Sequence, residues 1–400
     1  MRPGEKIFDF HYEPFDDIKV SLSIASKFKI LRKMVSGGHL RLLRGQIQNL
    51  IQGGPQMKAV VITEHGEMDK IKLVDIATPG PGNGDVLIQV KSAALNHLDI
   101  WVRKGRRGVT LSMPHVLGSD GAGVVSEIGA GVEGVTIGDE VLINPGLSCG
   151  RCEFCARGQQ SECVSFSIVG MGRRGTFAEY VTVPAGNVYR KPSHLSFDEA
   201  AALPLAYVTA WRMLMTRGGL KAGQTLLIHG IGGGVALAAL QLAKLTGAVV
   251  IVTSSSDEKL KRAEQLGADH RINYKISDVA SVVSDITVGR GVDVVFETVG
   301  AVTWPVDFAC VRRGGKIVIC GVTGGPKADT NLQALYWNQV TIVGSTMGSN
   351  DDFRGMLSAV TAAKLKPVVD SVFPIVEARG AMAKMEAGQQ FGKIVLKISD

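Results

Sequence analysis

The sequence predicts an α/β protein in which a β-rich domain precedes a doubly wound parallel-sheet domain. Three observations predict this. Residues 225–253 read as strand, glycine-rich turn, helix and strand. Residues 57–204 alternate short apolar runs such as 86–90 (VLIQV) and 140–144 (EVLIN) with glycine-rich turns, the pattern of a compact β domain. The 400 residues suffice for two or three domains with cores of their own.

The βαβ unit organises the rest. Residues 225–229 (TLLIH) are an apolar run of strand length, 230–234 (GIGGG) a turn nearly free of side chains, and 235–245 an alanine- and leucine-rich helix. Gly247 stands where a helix C-cap glycine stands, and 248–253 (AVVIVT) form the second strand. The turn places bare N–H groups at a helix N-terminus, where those donors and the helix dipole favour a pyrophosphate. A glycine-rich turn alone often binds nothing; the strand before it and the helix after it supply the needed context. Val235 occupies the third glycine position of G-x-G-x-x-G, so G-x-x-G-x-x-A through Gly230, Gly233 and Ala236 is the better match. Residues 225–243 carry no formal charge, but four glycines interrupt them and the length is marginal, so no membrane span is expected.

That glycine variant, with 241–244 (QLAK) after it, resembles the quinone-oxidoreductase branch of the medium-chain dehydrogenase/reductase superfamily. Residues 57–61 (MKAVV) resemble the usual start of such enzymes, and 118–125 (GSDGAGVV) with 138–141 (GDEV) resemble their GroES-like catalytic domain. The resemblance runs from Met57 to the C-terminus. It implies a GroES-like β-rich catalytic domain over 57–204, a Rossmann doubly wound nucleotide-binding domain over 205–345, and a return to the catalytic domain over 346–400.

Bulk charge excludes little. The net charge of +7 is uneven: residues 1–56 contribute +4 and the other 344 only +3, so no concentrated basic face marks a nucleic-acid binder. Residues 1–17 are acidic and aromatic, whereas 18–56 hold seven basic residues and no acidic one. A basic amphipathic helix over 26–43 would suit a membrane surface or a targeting peptide. The simpler expectation is that 1–56 are a translated leader and Met57 the initiator.

The superfamily's zinc alcohol dehydrogenases carry a cysteine, a small hydroxyl residue and an aspartate, then a G-H-E motif, then a further cysteine or acid. Here the first motif reads Asn96-His97-Leu98-Asp99 and the second Gly118-Ser119-Asp120; residues 203–207 (LPLAY) contain no cysteine. Serine and neutral asparagine are poor zinc ligands, so no catalytic zinc is expected. By resemblance Asn96 lines the nicotinamide pocket and bonds a substrate carbonyl, although a turn asparagine making local bonds would read the same way. His97 is a ligand contact on the same grounds, and Tyr207 is a candidate proton donor.

Cys149, Cys152, Cys155 and Cys163 give C-x2-C-x2-C-x7-C, four thiolates that can close a tetrahedral metal with no open position: a structural zinc lobe over 145–165. An iron–sulfur cluster is the rival, with a long last spacing and no following proline. Disulfides suit a reducing compartment less.

Residues 201–215 read as one helix joining the domains, and by resemblance Thr209 lies near the nicotinamide amide. NAD-specific sites end their second strand with a carboxylate; here that place is Ser254. Ser254, Ser255 and Lys259 therefore point to a 2′-phosphate and to NADP(H) over NAD(H), and Tyr274 resembles a 2′-phosphate contact of related reductases, although Ser255 and Glu258 would also form a capping box. Residues 298–300 and 321–323, with Val299, Gly321 and Val322, fall at the carboxyl edge of the sheet, and Thr346 follows a last edge strand over 340–344 that resembles a dimer interface. The cofactor-binding set is thus His97, Thr209, Gly230, Ile231, Gly232, Gly233, Gly234, Val235, Ser254, Ser255, Lys259, Tyr274, Val299, Gly321, Val322 and Thr346.

The expected function is NADPH-dependent hydride transfer to an activated C=C or quinone, with one structural zinc, in a cytoplasmic homodimer or dimer of dimers that binds no nucleic acid. The alternatives are a zinc-type alcohol dehydrogenase and a non-catalytic nucleotide- or RNA-binding protein.

Overall fold

A computed structural model describes residues 54–105 and 108–399. The leader expectation and the helix over 26–43 lie outside the described residues. Residues from Pro55 onward form one compact unit.

Alternating burial builds the β-rich part. Val86, Ile88 and Val90 are buried, and their strand Asp85–Ala94 is the centre of a seven-stranded sheet. On one side follow Asp120–Ile128, Glu140–Ile143 and Val188–Arg190; on the other follow Lys393–Lys397 and Val369–Pro374, while Tyr180–Pro184 pairs with Asp85–Ala94 off that path. The closing strand runs antiparallel to the central one, Val395 opposite Ala94. Gln56–Ile62 joins Ile71–Ala77 and His115–Val116 in a smaller sheet.

The second sheet has six strands, all parallel. Their order is His270–Asn273, Val249–Ser254, Thr225–Ile228, Val292–Glu297, Val311–Ile319 and Thr341–Gly344. This is the doubly wound order 3-2-1-4-5-6, which puts the switch point between Thr225–Ile228 and Val292–Glu297. Of the central strands, Val292–Glu297 is buried throughout and Thr225–Ile228 in all but Thr225, as apolar runs between two helical layers require.

The connection between domains departs from the single helix expected over 201–215. Phe197–Ala201 is one short helix, Pro204–Trp211 a second, and Arg212–Gly218 continues it with π-type winding. Pro204 has no N–H to donate, so it sits at the first helical position and breaks the run there. Among the described residues no helix is long and apolar enough to cross a membrane.

Candidate active site

The helix Gly234–Thr246 starts at the switch point with Gly233 as its N-cap residue. Gly230 (φ 64°) and Gly232 (φ 128°) take backbone angles that L side chains rarely adopt. At Gly234 a Cβ would stand 2.7 Å from Cδ of Lys393, so the turn and that lysine stem need the missing side chain. The N–H groups at this helix end face a cavity of about 450 Å³ between the two domains.

The cavity brings together Asn96, His97, Thr209, Gly230, Ile231, Gly232, Gly233, Gly234, Val235, Lys259, Val299, Gly321 and Thr346. Lys259 spans Gly232 and donates from Nζ to the Gly388 carbonyl at 2.7 Å, which leaves its cation beside the glycine turn. Burial lowers the pKa of His97, with the Lys393 charge second, so its imidazole is neutral at pH 7.

Five expected residues lie elsewhere. Tyr207 is 2% exposed and is not part of the cavity wall; its hydroxyl donates to Gln241, and burial pushes its pKa far up. It therefore faces the core between helices and is corrected as a proton donor. Ser254 is buried and accepts from Ser256 N at 3.2 Å. The cap of helix Asp257–Gln265 is Ser256, accepting from Lys259 N, so Ser255 and Glu258 do not form the capping box. Tyr274 is half exposed, outside the cavity wall. Val322 lines an adjoining cavity that shares Trp101, Cys320, Gly321 and Thr346 with the first.

Sequence reasoning missed Lys393 and the role of Asp120. Lys393 Nζ donates to the Leu95 carbonyl (2.7 Å), Asn96 Oδ1 (2.6 Å) and Asp120 Oδ2 (3.0 Å), which uses all three hydrogens. The ion pair is buried, with side-chain exposures of 5% and 0%. Asn96 Nδ2 donates to Asp120 Oδ2 at 2.9 Å and makes a longer 3.4 Å contact to the Ala94 carbonyl. Asp120 Oδ1 accepts from Leu205 N at 2.8 Å. Asn96 also begins the helix His97–Lys104, its N–H held by Asp99. Burial pushes the Asp99 carboxyl up to about 7.

The positions where zinc relatives carry metal ligands do not fit a metal here. By the resemblance Asn96 stands for a cysteine sulfur and Ser119 for a histidine nitrogen, the Ser119 hydroxyl is buried without a partner, and an ammonium stands against Asn96 and Asp120. A second cation beside Lys393 would be repelled at short range.

The four-cysteine lobe does fit one. The Sγ atoms of Cys149, Cys152, Cys155 and Cys163 lie within 4.8 Å of one another, with Cys152–Cys155 at 3.5 Å and Cys149–Cys155 at 4.0 Å. Thiolates about 2.3 Å from a tetrahedral zinc stand about 3.8 Å apart. Backbone N–H groups reach Cys163 Sγ from Cys149 and Ser165, both at 3.3 Å, and those of Cys155 and Val164 lower Cys152 to about 6. The lobe is tied to the rest through Glu162, which pairs with Arg212, itself paired with Asp352 at 2.8 Å.

A parallel six-stranded sheet with its glycine turn at the switch point, joined to a β-rich domain across a cleft, defines a two-domain nicotinamide-dinucleotide oxidoreductase. Comparison with known proteins agrees. Residues 82–193 match the alcohol dehydrogenase GroES-like domain and 234–362 the zinc-binding dehydrogenase family. A zinc-type alcohol dehydrogenase-like protein of Schizosaccharomyces pombe is 36% identical, over 86% of this chain and 99% of its own length. A crystal structure of an NAD-dependent alcohol dehydrogenase is 44% identical with a TM-score of 0.83, covering 86% of this chain and all of that one. A crotonyl-CoA carboxylase/reductase is 28% identical with a TM-score of 0.82, over 86% of this chain and 89% of that one. The chain belongs to the medium-chain dehydrogenase/reductase superfamily.

Proposed function

We propose that this protein transfers hydride from NADPH to a C=C conjugated to a carbonyl, or to a quinone, with zinc confined to the cysteine lobe. The observation that carries the reading is the Lys393–Asp120 ion pair beside Asn96, where zinc relatives bind a catalytic metal. Polarisation of the acceptor then falls to hydrogen bonds. Lys393 on Oδ1 and Asp120 on Nδ2 fix which way the Asn96 amide points. Its second Nδ2 hydrogen is held only by the 3.4 Å contact to Ala94, too long for a strong bond, so a substrate oxygen can take it at small cost. The nicotinamide supplies the hydride when bound; residues 230–234 would hold the dinucleotide's pyrophosphate, 298–299 and 320–321 would orient the nicotinamide, and the acceptor would lie beside Asn96. The product's proton comes from water in the open cleft.

Preference for NADPH rests on the absence of a carboxylate at Ser254 and on the Lys259 cation beside the turn. The exposed edge strand Thr341–Gly344, with Tyr336 and Trp337 about two-thirds exposed nearby, suits pairing with a second copy of this chain. The four Cys thiolates would hold the single zinc.

The test is oxidation of NADPH in the presence of enones and quinones. A saturated ketone or hydroquinone as product supports the reading, and inactivity across a broad panel sinks it. The second reading, alcohol oxidation, is favoured by the similarity to an NAD-dependent alcohol dehydrogenase. Alcohol turnover abolished by chelation, with two zincs per chain, would replace the first reading with the second.

A further inference from the structure

Three ionisable side chains lie together at the switch point, outside the cavity wall. His229 ends the run that begins with Thr225–Ile228, Glu297 is the last residue of Val292–Glu297, and Asp307 lies on the helix Trp304–Cys310. One donor atom from each lies within 4.8 Å of the others, and the residues are 2%, 0% and 0% exposed. Among the described residues no arginine or lysine pairs with either carboxyl group; His229 Nε2 stands 2.9 Å from Asp307 Oδ1 but lacks the alignment of a hydrogen bond. Both Asp307 oxygens and His229 Nε2 are thus buried without a hydrogen-bond partner of good geometry.

Two adjacent carboxylates in a dry interior cannot both stay ionised. One proton between them relieves the repulsion and gives an Asp307 oxygen the partner it lacks. We propose that Glu297 and Asp307 share one proton at neutral pH, and that its presence sets how tightly the protein holds its dinucleotide. The second half rests on the reading that the cavity binds a nicotinamide dinucleotide.

The geometry supplies the coupling. Glu297 Oε1 accepts from the N–H groups of Val299 and Gly300, the latter at 2.7 Å, and Oε2 accepts from Thr303 Oγ1 at 2.6 Å. Thr298 and Val299 line the cavity. On the other side His229 Nδ1 lies 3.3 Å from Thr253 Oγ1, which accepts from Gly230 N at 3.3 Å. Both cofactor-facing turns therefore rest on the same three side chains. Loss of the proton sets two like charges against each other under those turns. The dinucleotide adds negative charge above them, so by linkage its binding must draw the proton in.

Burial, then the charge of Asp307, push Glu297 up to about 7, and burial pushes Asp307 up to about 7. Burial pushes His229 down against the opposing pull of Glu297. The other groups facing the cluster are Cys310, which also feels Asp278, and Cys320; burial holds both thiols up at about 12, so they stay neutral over this range.

The experiment is titration calorimetry of the full-length protein with NADH and NADPH at pH 7, in two buffers of different ionisation enthalpy, with Kd followed from pH 6 to 8.5. Glu297→Gln and Asp307→Asn are compared with the parent, which cancels the titration of the 2′-phosphate. The parent should take up a fraction of a proton and lose at least threefold in affinity as pH rises. Both variants should lose the uptake and show a flat Kd, because the amide mimics the protonated acid and, in E297Q, keeps an oxygen for Val299 and Gly300. Equal proton counts and equal pH dependence in all three proteins overturn the proposal. So does a stoichiometric divalent metal that E297Q removes, since the cation would then neutralise the site. Infrared difference spectra of the ligand-free protein between pH 6 and 9 test the sharing alone: the protonated-carboxyl band lost on deprotonation must be larger in the parent than in either variant, where only the Asp99 contribution remains. Binding of neither dinucleotide, with that band present, overturns the cavity assignment and the coupling but not the shared proton.

Discussion

Lys393, in the cavity wall, and Asp120, behind it, stand 3.0 Å apart and 273 residues apart in sequence, and both are buried. The contact ties the last strand of the β-rich domain to the start of Asp120–Ile128 and orients Asn96 between them. Removal of one partner leaves an uncompensated charge in the interior. Lys393→Met and Asp120→Asn should each lose roughly 3–5 kcal/mol of stability, and the double variant should recover part of it. Urea melts of the three proteins check this; additive losses would show that the two side chains do not act as a pair.

Asn96→Ala removes the amide without touching the glycine turn. Loss of one donor to a developing oxyanion typically costs about 100-fold in kcat. Turnover with an enone should fall by that order while the Kd for NADPH, measured by fluorescence titration, stays within about twofold. A parallel rise in Kd would place Asn96 in cofactor binding instead.

Metal analysis should find one zinc per chain in protein purified without added metal. Cys152→Ser should abolish it and lower the melting temperature, because four thiolates in one short segment have no other means of closing. Chelation of the parent should destabilise the lobe and the Arg212–Glu162 contact attached to it. Two zincs would point to a metal site that Asn96 and Ser119 do not provide.

Three buried acids should contribute stability that falls as pH rises from about 4 to about 7, against the opposite contribution of His97, His115 and His229, whose pKa values burial lowers. Asp99, Glu297 and Asp307 each have folded pKa values near 7, raised mainly by burial. In that window the native state keeps protons that the unfolded chain has released, so the unfolded state binds fewer and stability drops with pH. Thermal melts at pH 5 and pH 8 should show E297Q losing less stability over that range than the parent, with Asp99 keeping its own share.

Much of this was legible where the signal is local. The glycine turn, its two strands and the cysteine spacing each lie within a few dozen residues, so pattern alone placed them. Tyr207 was misplaced because a helix in the core offers no sequence mark of which face meets the cavity; it turned to Gln241. Ser255 was displaced by its neighbour Ser256, since three serines in a row fit either cap position. Lys393 looked like an ordinary strand residue, and only the sheet order brings it beside Asp120. His229, Glu297 and Asp307 meet for the same reason: two parallel strands and a helix converge at the switch point.

The order of the chain also bears on how the protein is made. The nucleotide-binding sheet is drawn from residues 225–344 without interruption, so it can form while synthesis continues. The other sheet cannot. Tyr180–Pro184 covers residues 85–89 of one flank of its central strand, but residues 92–94 stay open until Lys393–Lys397 has emerged from the ribosome, some 300 residues later. Through that interval the nascent chain carries an unpaired edge at residues 92–94 and an Asp120 without its lysine, and a chain cut before Lys393 would keep both.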